Sequence, residues 1–191
     1  MKFRVRDAEA YERLLAEKLR VSLGKAEREE DVFFTNEALG FPNEGKSLRI
    51  RRRGDYLAAT FKGPRLDKTT KTREEIELPL GTSGASAQES RDAWIKFYER
   101  LGFKVYGEVV KTRRRGAATF QDREFELTLD RVEGIGDFAE LELQAPREEF
   151  DAARSALLAL ATALDLTEPE PRTYLGMIFE KDPLVAENDA R

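Results

Sequence analysis

The stretch Glu124–Leu143, EFELTLDRVEGIGDFAELEL, decides the fold. Its limbs Glu124–Asp130 and Phe138–Gln144 alternate polar and apolar residues with period two, the pattern of paired antiparallel strands, and the Gly-rich run between them makes the turn. On the second limb Ala139, Leu141 and Leu143 share one face while Glu140 and Glu142 share the other, so two carboxylates stand one strand repeat apart, about 7 Å. Two readings stay open at this point: a hairpin with a solvated acidic face, or a carboxylate pair spaced to share a cation.

The composition narrows the chemistry. With neither cysteine nor histidine in 191 residues, thiolate nucleophiles, zinc centres and imidazole bases are excluded. Any metal must then be a hard one, held by carboxylates. Charged residues make up 37% of the chain, yet 33 basic and 37 acidic side chains leave a net charge of only −4, which argues against a nucleic-acid partner. No apolar leader and no long apolar run occur, so a cytoplasmic protein without a membrane partner is expected.

Outward from the hairpin, Val105–Arg115 reads as a strand with Lys111, Arg113 and Arg115 on one face, and Ala117–Gln121 as continuing the meander. Ser47–Arg53 sets Arg49 and Arg51 against Leu48 and Ile50. Gly54-Asp55 then turns the chain into a strand Tyr56–Lys62. Arg73–Leu80 returns with Arg73, Glu75 and Glu77 facing together, after a polar loop Arg65–Thr72. Lys2–Arg6 alternates as a strand, and Ala26–Phe34 runs from polar residues into an apolar end, again as a strand. Helices are predicted from an Asp7 cap to about Ser22 with Gly24 as the stop, over Ala87–Leu101 after the linker Gly81–Ser86, over Glu148–Leu164, and over Tyr174–Lys181. The aromatics of the Ala87–Leu101 helix read as core. Residues 1–181 are expected to form one domain and 182–191 a disordered tail.

The pairing of a basic strand with an acidic one occurs twice, RRRG at Arg51–Gly54 with EIEL at Glu75–Leu78, and RRRG at Arg113–Gly116 with ELEL at Glu140–Leu143. Six or more strands each carry one charged and one apolar face. If they close, the charged faces line a tunnel suited to an elongated polyanion and a divalent cation, with helices packed outside. Glu75 and Glu77 read as charge balance within that lining.

The run of LRIRR at Leu48–Arg52, TFKGP at Thr60–Pro64, KTREEIE at Lys71–Glu77, KTRR at Lys111–Arg114 and LDRVEGIGDFAELE at Leu129–Glu142 resembles the CYTH superfamily, the triphosphate tunnel metalloenzymes. These include class IV adenylyl cyclases, thiamine triphosphatases and inorganic triphosphatases, and the resemblance extends from Lys2 to about Lys181. It implies an α+β fold, an eight-stranded antiparallel β-barrel tunnel with helices outside, and a triphosphate substrate: ATP, thiamine triphosphate or inorganic triphosphate. Mg²⁺ or Mn²⁺ is the implied cofactor. By the same resemblance Arg49, Arg51, Lys62, Lys111 and Arg113 would bind phosphate, Asp130, Glu140 and Glu142 would hold metal, and Lys2 and Lys62 would act in catalysis. Tyr174 matches a family position at the C-terminal helix, and a homodimer stays open.

The family opens on an ExExK strand whose lysine matches Lys2, which puts both glutamates before Met1. Either the chain as given starts late, or the protein lacks half of the usual carboxylate set and depends on Asp130, Glu140 and Glu142. Without the first-strand carboxylates weaker metal affinity is expected, because fewer anionic ligands oppose the ion's dehydration. Cyclisation and hydrolysis of the triphosphate both fit, the KGPRLDKTTKTREE run being most similar to the cyclase subgroup. A non-catalytic or weakly active polyphosphate- or nucleotide-binding domain is the alternative.

Overall fold

The computed structural model describes residues 1–42, 45–64, 73–81 and 84–181. The loop Arg65–Thr72, residues 82–83 of the expected linker and the tail from Asp182 lie outside these. The described residues contain eight strands: β1 (Lys2–Val5), β2 (Glu27–Thr35), β3 (Ser47–Arg53), β4 (Tyr56–Lys62), β5 (Glu75–Pro79), β6 (Lys104–Phe120), β7 (Arg123–Val132) and β8 (Gly136–Glu142). They also contain four α-helices: α1 (Ala8–Leu14), α2 (Ala87–Arg100), α3 (Phe150–Ala163) and α4 (Tyr174–Lys181). The strands form one antiparallel sheet in the order β1-β8-β7-β6-β2-β3-β4-β5, which ends at β1 and β5 among the described residues. No helix among the described residues is long and apolar enough to cross a membrane.

The chain divides into two compact units, and β6 passes from one to the other at Lys111–Thr112. The first unit comprises Met1–Glu27 and Thr112–Pro171. Its core takes Phe3 from β1, Phe125, Leu127 and Leu129 from β7, Ala139 and Leu141 from β8, and Leu157 and Leu160 from α3. Period two puts Thr128, Asp130 and Glu140 on the other faces of those strands. Each fully buried leucine contributes about 1.5–3 kcal/mol, so the apolar face fixes the register and with it the direction of the charged face. Asp7 caps α1 by accepting from the Ala10 amide at 3.0 Å. A single π-helical stretch, Leu15–Leu19, continues the helix and stops at Arg20 in the left-handed conformation (φ 56°), short of the predicted Gly24.

The second unit comprises Arg28–Lys111 and the chain from Arg172. Val32, Phe34, Ile50 and Leu57 form its core, covered by Trp94, Ile95 and Tyr98 of α2. Phe34 and Tyr98 meet edge to face at 5.1 Å, a geometry that adds about 0.5–1.5 kcal/mol beyond burial. Ser86 and Glu89 form a capping box that starts α2. Not every α2 aromatic is core, for Phe97 is 49% exposed, as is the capping Leu101 just past the helix end at 57%. In the same unit, Gly107 lets α4 approach β6, since a Cβ there would lie 2.8 Å from Leu175 Cδ1.

Candidate functional site

In the second unit the β2–β3 register sets Asp31 directly opposite Arg51. Arg51 donates from Nε and Nη2 to the two Asp31 carboxylate oxygens at 2.6 and 2.7 Å. Arg49, one strand repeat along β3, donates to the same carboxylate at 3.2 Å. Glu29, one repeat along β2, lies 3.2 Å from Arg51 Nη1 and 3.4 Å from Lys111 Nζ. These are the direct and diagonal contacts that an antiparallel pair offers on one face. Glu29 is fully buried, and Asp31 and Lys111 nearly so. Burial alone would raise the Asp31 carboxyl, but Arg49, Arg51 and Lys111 together outweigh it and hold it well below the usual carboxylate range. The Lys111 ammonium stands 5.3 Å from the Tyr174 ring centroid, at the start of α4.

Lys62, at the end of β4, pairs with Glu75 of β5 at 2.7 Å. Burial, then the nearby Arg49, lower its ammonium, and Glu75 pulls the other way. Glu77 accepts from the Tyr56 hydroxyl at 3.0 Å and the Thr60 hydroxyl at 3.2 Å. Both β5 carboxylates therefore hold neighbours on β4.

In the first unit Arg113 binds both oxygens of Asp130, from Nε at 2.6 Å and Nη2 at 2.5 Å, and the same Nη2 reaches Glu140 at 2.5 Å. Asp130 is fully buried and the Glu140 side chain is 18% exposed. Lys2 is buried directly across from Glu140 in the β1–β8 register, with its Nζ 5.5 Å from the Phe138 ring centroid. The register continues to Met1, whose amino group donates to the Leu141 carbonyl at 2.6 Å.

The sequence-predicted residues thus fall into groups. Arg49, Arg51 and Lys111 meet around β2 carboxylates, Lys62 joins Glu75, and Arg113, Asp130 and Glu140 form one cluster next to Lys2. Glu142 is not drawn into that cluster by the contacts described; it lies exposed on β8 opposite Glu126. Among the described residues no three acidic side chains converge as a metal cage. The Asp130–Glu140 pair offers hard oxygen donors turned toward one positive centre, which fits an ion such as Mg²⁺ that takes one or two carboxylates and fills its shell with substrate phosphate and water.

Glu29 and Asp31 are absent from the sequence-based candidates. In EREED both faces of the strand are acidic, so polarity does not alternate there. The usable signal lies just beyond: Val32 and Phe34 fix the apolar parity, which assigns Glu29 and Asp31 to the same face as each other and opposite to it.

A family model described as the CYTH domain matches residues 1–174. A Methanocaldococcus jannaschii protein, named provisionally as an adenylate cyclase, is 30% identical over 145 residues, 75% of this chain and 76% of that one. The adenylate cyclase CyaB of Aeromonas hydrophila is 29% identical over 178 residues, 91% of this chain and 84% of that one. The solved structure of the PH1819 protein from Pyrococcus horikoshii OT3 matches with a TM-score of 0.77 at 30% identity, covering 94% of this chain and 97% of that one.

Proposed function

The chain belongs to the CYTH domain family, and from that premise we propose that it is a divalent-metal-dependent cytoplasmic enzyme acting on a triphosphate. The match over residues 1–174 supports treating both units as parts of one CYTH domain. The observation that carries the reading is the set of buried Arg51 and Lys111 with half-buried Arg49, held on one sheet face by Asp31 and Glu29. Cations fixed before a ligand arrives suit a polyanion, because little reorganisation is left to do on binding.

Arg49 and Arg51 would present planar forks to phosphate oxygens, while Lys62 and Lys111 act as point charges. Arg113 and Lys2 would serve the same purpose in the first unit. Asp130 and Glu140, with Glu142 as a more exposed third, would hold Mg²⁺ or Mn²⁺, which when bound supplies charge neutralisation at the phosphates. Catalysis then rests on positioning and on stabilising charge at the leaving oxygen. The names of the two adenylate cyclase relatives favour cyclisation: the ribose 3′-oxygen bonds to the α-phosphorus, its proton is lost, and pyrophosphate leaves. Hydrolysis instead adds water at the γ-phosphorus and releases phosphate.

The test is steady-state turnover of ATP and tripolyphosphate with Mg²⁺ or Mn²⁺, with products separated, beside Mn²⁺ calorimetry. Turnover of either compound is expected, and Asp130→Asn combined with Glu140→Gln should abolish Mn²⁺ binding in a folded protein. A wild-type protein that neither binds millimolar tripolyphosphate nor turns over either compound would overturn the proposal.

A further inference from the structure

Thr128 is fully buried on β7, and among the described residues its Oγ1 has no hydrogen-bond partner. A buried hydroxyl without a partner keeps its desolvation cost, and valine would fill the same space without it, so folding alone does not account for a threonine here. The register sets Thr128 directly opposite Glu140 of β8, with Asp130 one strand repeat further along β7. The second unit shows what such a pair can do. There Thr60 of β4, also fully buried, stands directly opposite Glu77 of β5, and its hydroxyl donates to that carboxylate at 3.2 Å. On β7 and β8 the same arrangement lacks the bond: Glu140 instead accepts from Arg113 Nη2 at 2.5 Å, the nitrogen that also grips Asp130.

We propose that Thr128 is a positioning residue for the divalent cation: its hydroxyl donates to Glu140 when that carboxylate turns from Arg113 to hold the ion. The inference rests on the metal-dependent reading above. Arg113 binds the same Asp130 and Glu140 oxygens that a cation would use, so holding one requires Glu140 to come away from the guanidinium. A carboxylate that ligates a metal is oriented by hydrogen bonds to its remaining lone pairs. Lys2 on β1 and Thr128 on β7 flank Glu140 directly across the strands. The Lys2 ammonium repels a cation held at this carboxylate, whereas the Thr128 hydroxyl supplies one proton and no charge. Complete burial of Thr128 also keeps solvent from taking that proton, so the donor stays reserved for the strand across from it.

The test compares the full chain with Thr128→Val and Thr128→Ser, using Mn²⁺ alone as the calorimetric probe and thermal melting in a chelator as the measure of the metal-free fold. Thr128→Val keeps the shape and removes the hydroxyl. It should weaken Mn²⁺ binding about tenfold, the lower end of the range for losing a hydrogen-bond partner of a metal ligand, while the metal-free melting temperature holds or rises. Thr128→Ser keeps the donor and loses a methyl group, and its Mn²⁺ affinity should stay within about threefold of wild type. A merely structural hydroxyl predicts the opposite for Thr128→Val: a lower metal-free melting temperature and wild-type Mn²⁺ affinity. Either of those results overturns the proposal, and so does a Thr128→Val chain that cannot fold without metal. Thr128→Ser decides independently, since a tenfold loss of Mn²⁺ affinity with the hydroxyl still present would also sink it. A wild-type chain that binds no Mn²⁺ would instead defeat the metal-dependent reading and this inference with it, whereas Mn²⁺ binding that is equal in wild type and Thr128→Val defeats the inference alone.

Discussion

Arg51 and Asp31 stand directly opposite each other on β3 and β2 and are joined by two parallel hydrogen bonds, Nε to Oδ1 at 2.6 Å and Nη2 to Oδ2 at 2.7 Å. Both side chains are buried, so removing either partner leaves the other charge out of water with part of its compensation gone.

Arg51→Ala should therefore destabilise by about 3–5 kcal/mol, the range for breaking a buried pair from one side. Arg51→Lys keeps the charge but not the fork, and should lose about 1.5–3 kcal/mol, one charge-assisted hydrogen bond. Urea unfolding at neutral pH measures both. A loss under about 1 kcal/mol for Arg51→Ala would place the pair with exposed ion pairs instead.

The same pair sets an acid limit. Asp31 is held below the usual carboxylate range, with Arg49, Arg51 and Lys111 overcoming burial. As the pH falls below the ordinary value of about 3.9, the unfolded chain takes up a proton here before the folded one does. The Asp31 contribution is thus complete above that value and is lost as the pH drops through the lower folded one. Glu30, lowered by Arg28 and Arg52 against burial, has the same sign. Asp31→Asn should flatten the stability profile below about pH 4. An acid limb with the wild-type slope would contradict the assignment.

Lys62 carries the opposite burden. Burial and Arg49 lower its ammonium, with Glu75 only partly offsetting them. In the window between that lowered value and the ordinary one near 10.4, the unfolded chain binds more protons, so stability from this group rises with pH there. At pH 7 the charged form bears the penalty in full. Lys62→Met should raise the urea midpoint at pH 7 while weakening tripolyphosphate binding. A lower midpoint would mean that the Glu75 pair outweighs burial.

Gly107 provides a steric test of α4. A Cβ at this position would come within 2.8 Å of Leu175 Cδ1 and 2.9 Å of Phe179 Cζ. Gly107→Ala should destabilise by about 1–3 kcal/mol, the usual range for overpacking. It should also weaken polyphosphate binding, since α4 begins at Tyr174, beside Lys111. Unchanged stability together with unchanged affinity would separate α4 from the Lys111 site.

Where strand polarity alternates, the sequence was readable to the residue: β3 and β4 begin and end as expected around Gly54-Asp55, and Arg49, Arg51, Arg113, Asp130 and Glu140 emerge on charged faces. Elsewhere the physics was not local. Val105–Arg115 and Ala117–Gln121 read as successive parts of a meander, and the two are one strand, β6, which runs through Gly116 for 17 residues. The glycine serves close packing, because a Cβ would meet Val21 Cγ1 at 2.9 Å, a contact made by a segment far away in sequence. The helix stop at Arg20 likewise ignores the nearest glycine. Glu29 and Asp31 were hidden because an acidic run conceals parity, and only the cations across the sheet reveal which carboxylates matter.

The backbone bond between Met1 and Leu141 spans 140 positions of sequence. During synthesis β1 is made well before its partner, since β8 emerges only after β2 to β7. Loop closure over that distance must precede any reward from the contact, so the first unit is expected to complete after the second, with Phe3 and Val5 uncovered in the meantime. The second unit is built mainly from contiguous residues, Arg28–Lys111, and holds the single tryptophan, Trp94. On refolding, the Trp94 fluorescence change should therefore finish ahead of the last gain in sheet signal, and chaperone dependence should track the exposed N-terminal strand.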